Sequence, residues 1–155
     1  MEEKLNTVSI TSRIKSIKLD EFIITENAKK LKVPINIESL SFDLSVNVKV
    51  EPLSKTITVI SNSFVYSDLQ RTETYCKFSS TGVFHLLNFE EIAKQFNNSI
   101  PNFIASMFAG VLISSTRGMA ILKSEGTVLE GFILPIIDPT TLFKQEGINP
   151  PEKKS

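Results

Sequence analysis

The 155-residue chain has no tryptophan, one cysteine, one histidine, two tyrosines and six glycines, and its 17 basic and 17 acidic residues cancel. Each shortage removes a class of function. A zero net charge gathers no polyanion, and no lysine or arginine cluster is dense enough to track phosphates, so nucleic acid is not an expected partner. With Cys76 as the only cysteine, no intrachain disulfide forms, and the cytoplasm is the expected compartment. A buried small hydrophobe within a strand is its expected role. His85 stands alone beside Phe84 and Leu86, which supplies neither a metal-ligand set nor a spaced nucleophile and base. Glu90 and Glu91 are adjacent, so on a helix they point apart, and no glycine-rich phosphate loop is present. The expectation is a protein that is not an enzyme, with no metal and no cofactor.

Long hydrophobic runs are also missing. The most apolar segment, Ile100 to Ile113, spans fourteen residues, with Arg117 and Lys123 soon after. A membrane helix needs about twenty, so a buried helix is expected rather than insertion. Met1 to Lys4 carries two glutamates and is followed by no apolar core of signal-peptide length, so export by that route is not indicated.

What the chain does have is alternation. From Leu40 to Val50 every even residue is apolar and every odd one polar, which in a strand puts one side in a core and the other in water. Four strands are expected. The first lies within Ile10 to Ile24, where Ile14, Ile17, Leu19, Phe22 and Ile24 alternate imperfectly and predict a bulge. The others run over Asn36 to Val50, Thr56 to Tyr66 and about Arg71 to Phe84, with short turns that make these neighbours antiparallel. On the last, Cys76, Phe78, Gly82 and Phe84 share a face opposite Tyr75 and Val83, and Gly82 marks a bulge or a close approach.

Helices follow. Phe89 to Phe96 reads as a short amphipathic turn or helix. Ser99 as N-cap with Pro101 in the first turn predicts a long helix through Ser114 or Ser115 and on toward Lys123. Its bulky side holds Ile100, Phe103, Ile104, Met107, Phe108, Val111 and Leu112, and suits packing on the sheet. A narrow side of Ala105, Ser106, Ala109 and Gly110, extended to Ile113, allows a second backbone to approach and is the expected subunit contact; cover by a loop of the same chain is the competing reading. Gly126 and Gly131 predict turns. Phe132 to Ile137 is an apolar run broken by Pro135, expected to be extended and to offer a surface. Asp138-Pro139 opens a last short helix, Thr140 to Gln145. The single domain is expected over residues 8–145, between a flexible start at 1–7 and a disordered tail at 146–155.

Gly82-Val83-Phe84, the helix start Ser99-Ile100-Pro101-Asn102-Phe103, the helix end Ile113-Ser114-Ser115-Thr116-Arg117-Gly118, and Leu134-Pro135 before Thr141-Leu142-Phe143 stand in the order seen in the SecB export chaperones. Over about residues 8 to 145 the chain resembles that family, with a longer link from Met119 to Phe132. The resemblance implies an α+β fold of a four-stranded antiparallel sheet, one long helix and a short C-terminal helix. It also implies a tetramer built as a dimer of dimers, with long helices between the sheets. The family holds non-native polypeptides in apolar grooves without hydrolysing ATP. By position, the resemblance makes Phe84, Leu86, Leu87, Phe132, Leu134 and Phe143 the expected groove lining, although for any single phenylalanine among eleven a core position is the commoner fate. Members that deliver clients to the export ATPase are usually strongly acidic, so the neutral charge here weighs against that docking and toward a narrower client such as an antitoxin. A non-catalytic adaptor that binds one folded partner is the second reading.

Overall fold

The computed structural model describes residues 8–31 and 35–143. The expected flexible start 1–7, the tail 146–155 and the end of the last helix at Gln145 lie outside the described residues. The alternating segments become β1 (Ser12–Ile24), β2 (Ser41–Glu51), β3 (Thr56–Tyr66) and β4 (Thr74–Leu86). They form one antiparallel sheet in the order β1-β4-β3-β2, so the first strand closes onto the last. Both outer edges, β1 and β2, lack a further strand among the described residues.

The irregular alternation of β1 is two bulges, at Lys15 and Asp20. Each extra residue flips the face that follows it. Ile14, Ile17, Leu19, Phe22 and Ile24 consequently all stand opposite even-numbered residues of β4, from Phe84 down to Cys76, on the side that meets the helices. Gly82 is a close approach and no bulge: a Cβ there would lie 2.8 Å from Cε2 of Phe84 and 3.2 Å from Cδ1 of Leu112.

After β1 come a single helical turn, α1 (Glu26–Lys29), capped by the Thr25 hydroxyl, and a 3-10 turn at Ile37–Ser39. Beyond β4 come α2 (Phe89–Gln95) and α3 (Asn102–Ser124), then a 3-10 turn at Pro139–Phe143. α3 packs over β1, β3 and β4. It extends six residues past Arg117-Gly118, where the resemblance placed its end, because Gly118 faces open space and an exposed helical glycine costs only about 1 kcal/mol. At 23 residues it has the length and composition to cross a bilayer, which the fourteen-residue estimate understated, yet half of its most apolar stretch is buried in the protein itself. The expected Ser99 cap does not form. Its hydroxyl donates to the Phe96 carbonyl instead, and Pro101 occupies the N-cap position.

The core lies in two halves along α3. One gathers Ile57, Val59, Phe84, Leu86, Ile92, Ile104, Phe108 and Leu112. The other holds Val65, Cys76, Phe78, Ala120, Leu129 and Leu134. Between them runs a buried chain of hydroxyls, with Ser61 and Ser80 2.7 Å apart, Ser80 and Thr116 2.5 Å apart, and Thr116 donating to the Leu112 carbonyl.

Candidate polypeptide-binding site

α3 is buried on one side only. Ile104, Ala105, Phe108, Ala109, Leu112, Thr116 and Ala120 face inward, at the three- and four-residue spacing of one helical face. Opposite them an outward stripe runs through Phe103, Met107, Val111, Ser114, Gly118 and Leu122, with Phe103 48% and Leu122 68% exposed. The two apolar sides expected from sequence therefore exist, with their residues reassigned. Ala105 and Ala109 pack down, where small side chains let the helix sit close to the sheet, and three of the seven bulky residues, Phe103, Met107 and Val111, point out.

The subunit contact expected at Ala105, Ser106, Ala109, Gly110 and Ile113 needs correction accordingly. All but Gly110 are buried within the protomer, and a Cβ on Gly110 would meet Pro139 at 3.2 Å. Ser106, Gly110, Ile113 and Arg117 share one flank, and the segment 132–143 runs back along α3 there. Arg117 holds that segment, donating from Nε to the Leu134 carbonyl at 2.9 Å and from Nη2 to that of Pro135 at 3.0 Å. For Ser106, Gly110 and Ile113 the competing reading, cover by a loop of the same chain, is the one observed, while Ala105 and Ala109 are covered by the sheet side of the core. A hollow of about 530 Å³ remains between Met107, Val111 and Ser114 of α3 and Ile136, Ile137 and Pro139 of the segment. Ile136 is 91% exposed.

The residues assigned to a groove are dispersed. Phe84 is 1% exposed and stacks on Phe108 with ring centroids 4.5 Å apart, while Leu86 and Leu134 are equally buried in opposite halves of the core. These three are core residues, because inward positions of β4 and an anchored Leu134 close the two ends of the sheet and helix sandwich. Leu87, in the crossover after β4, is 44% exposed. Phe132 and Phe143 are partly buried, the first against the Leu134 half and the second against the Phe84 half.

A larger apolar cleft, of about 920 Å³, lies where sequence reasoning did not place one. Val48, Val50 and Pro52 at the end of β2 form its floor, Phe89 and Ala93 of α2 one wall, and Ile100, Pro101 and Ala105 the other; Glu90, Lys94, Asn98 and Asn102 mark its rim. It exists because β2 is an edge strand flanking the three strands that α3 covers, which leaves its inward valines half-covered. The elbow from α2 to α3 stands off through Asn97 and Asn98, both in the left-handed region (φ 54 and 59) that asparagine tolerates better than most residues. The signal was present in the sequence as the inward stripe of β2 continuing to Val50, with Phe89 and Ala93 on one side of α2.

On the open sheet face, Asp43 accepts from Arg71 through both carboxylate oxygens, at 2.6 and 2.7 Å, and from the Tyr66 hydroxyl at 3.1 Å. Burial first, then this bond to Asp43, pushes the Tyr66 phenol above its ordinary value. Charges of both signs share the face: Arg13, Lys18, Lys49 and Lys77 with Glu21, Asp43 and Glu51.

His85 and Cys76 sit on β4 itself, nine residues apart and on opposite faces, so they form no pair. Burial pushes the Cys76 thiol up from about 9 to about 12. The native protein should resist iodoacetamide at pH 8 and react on unfolding. Because the unfolded thiol ionises first, this group lowers stability as pH rises above about 9. Rapid alkylation of folded protein would show that Cys76 is reached by solvent. Among the described residues, no three His, Cys, Asp or Glu side chains cluster as metal ligands.

No protein-family profile matches the chain, and no curated protein matches it. Among solved structures, that of a Mycobacterium tuberculosis SecB-like chaperone in complex with a peptide from the HigA1 antitoxin is similar over 81% of this chain and 90% of that one, at 14% sequence identity and a TM-score of 0.47.

Proposed function

We propose that the protein is a divergent SecB-like holdase, a cytoplasmic chaperone that binds apolar segments of non-native polypeptides without nucleotide. The observation that carries this reading is the open cleft between the end of β2, α2 and the start of α3, floored by Val48 and Val50 and of a size to take several side chains. Each client side chain fully covered there contributes about 1.5 to 3 kcal/mol, and an apolar floor and walls with the polar groups confined to the rim give low sequence specificity. The outward stripe of α3 is a second apolar surface of the same molecule, and self-association over Phe103, Met107, Val111 and Leu122 would cover it. Neutral charge and the mixed-sign sheet face favour a dedicated client, such as an antitoxin, over delivery to the export ATPase.

The test is suppression of aggregation of a chemically unfolded client at near-stoichiometric protein without ATP. Val50→Asp places a charge in the cleft at the end of an edge strand, and should weaken client binding about tenfold or more while lowering stability by about 1 kcal/mol, which leaves the protein folded. Wild-type protein that leaves aggregation untouched would remove the holdase reading. A saturable complex with one folded protein, joined to indifference toward unfolded chains, would establish the adaptor reading instead.

A further inference from the structure

Arg117 makes no ion pair among the described residues, and it is the only charged side chain lining the hollow between α3 and the segment 132–143. Asp138, beside the lining residues Ile137 and Pro139, turns Oδ1 to the amide and hydroxyl of Thr140, at 2.9 and 2.6 Å, and does not line the hollow. The guanidinium is only half used. Nε and one proton of Nη2 lie along one side of its plane, and their bonds to the Leu134 and Pro135 carbonyls consume that side and fix the group in place. Its end, Nη1 with the second proton of Nη2, keeps two parallel N–H donors, the arrangement that takes a carboxylate through both oxygens. Three residues back on α3, Ser114 is exposed and its hydroxyl makes no hydrogen bond among the described residues.

We infer that the hollow binds the anion of a fatty acid, with its carboxylate on the free end of Arg117 and its hydrocarbon along Met107, Val111, Ile136 and Ile137. Charge selects the class. One fixed cation in a lining that is otherwise apolar but for two serines complements a single carboxylate joined to a hydrocarbon, and offers no partners for a second charge or a sugar. Ser114 supplies a further donor to the same carboxylate. An uncharged apolar side chain, whether of a client or of a second copy, would cover the walls but press hydrocarbon on the unpaired guanidinium end, which costs desolvation with nothing to offset it. The volume of about 530 Å³ lies within the roughly 300 to 1,000 Å³ of small-molecule sites, and the walls at Met107, Val111 and Ile136 are exposed, so a bound chain buries apolar surface. A ligand there touches both α3 and the segment 132–143, adds to the contact that Arg117 already makes between them, and stabilises the fold by mass action. This site goes beyond the holdase reading and does not rest on it.

Displacement of a fluorescent fatty acid, dansylundecanoate, tests it on the full chain. The probe should bind saturably at micromolar concentration, and laurate below its micellar concentration should displace it about tenfold more effectively than lauryl alcohol and raise the thermal midpoint. Ser114→Glu sets a carboxylate three residues from Arg117 at an exposed helix position and leaves the bonds to Leu134 and Pro135 in place. It should weaken laurate about tenfold or more while changing lauryl alcohol by less than about twofold, a discrimination that a merely structural effect would not produce. Arg117→Gln should do the same; it also frees the segment 132–143, so if that variant unfolds, Ser114→Glu decides the matter. Absence of saturable probe binding, lauryl alcohol competing as well as laurate, or unchanged laurate affinity in Ser114→Glu would each overturn the site. So would an affinity that falls as protein concentration rises, which would give the hollow to a second copy. Should laurate bind as expected while client aggregation is not suppressed, only the holdase reading fails.

Discussion

Phe84→Ala should cost about 3 to 5 kcal/mol of stability, a large part of the roughly 5 to 15 kcal/mol typical of a domain. The ring is enclosed among Ile57, Val59, Ile104 and Leu112 in one half of the core and stacks on Phe108, and α3 and β4 are both too regular to collapse into the space it would leave. Urea unfolding should show a lower midpoint with an unchanged slope. The position of this residue after Gly82-Val83 invites a different outcome, loss of client binding in a stable protein. The protein that remains folded should therefore bind a client peptide within about twofold of wild type, and a stable variant with abolished binding would return Phe84 to a groove.

Gly82→Val is expected to lower stability by about 1 to 3 kcal/mol or more, although valine is a good strand former and glycine a poor one. The added carbons would press on the edge of the Phe84 ring and the end of Leu112, at distances already below contact. Thermal unfolding reads the effect. Phe84→Leu in the same chain should recover part of it, since neighbours that share one space are not additive. A neutral Gly82→Val would mean that α3 is seated farther from β4 than described.

Local pattern carried most of the architecture. Unbroken alternation fixed β2, a run of β-branched and aromatic residues fixed β3, Gly126 and Gly131 occupy left-handed turns, and broken alternation predicted a bulge in β1, where two occur. The partner of β1 was not legible, because its neighbour β4 is remote in sequence and no local period encodes that pairing. The orientation of α3 was misjudged for a physical reason: its bulky and small faces are both apolar, and periodicity says that a face is buried without saying against what. Close packing on a sheet selected Ala105 and Ala109 as much as Phe108 and Leu112. Phe84 and Leu86 were misassigned to a groove for a related reason. Inward positions of a central strand such as β4 are covered from both sides, whereas the apolar surface left over belongs to the edge strand, and edge and centre are distinguished only once the order of strands is known.

The hydroxyl chain through Ser61, Ser80 and Thr116 acts as a detent. Methyl groups alone would let a greasy cylinder creep along its bed or roll by a fraction of a turn at little cost, whereas directional bonds tolerate neither displacement. The outer row from Phe103 to Leu122 is thereby held at one height and one angle, so a molecule that carries so much oil on its exterior still shows it on a single, reproducible side.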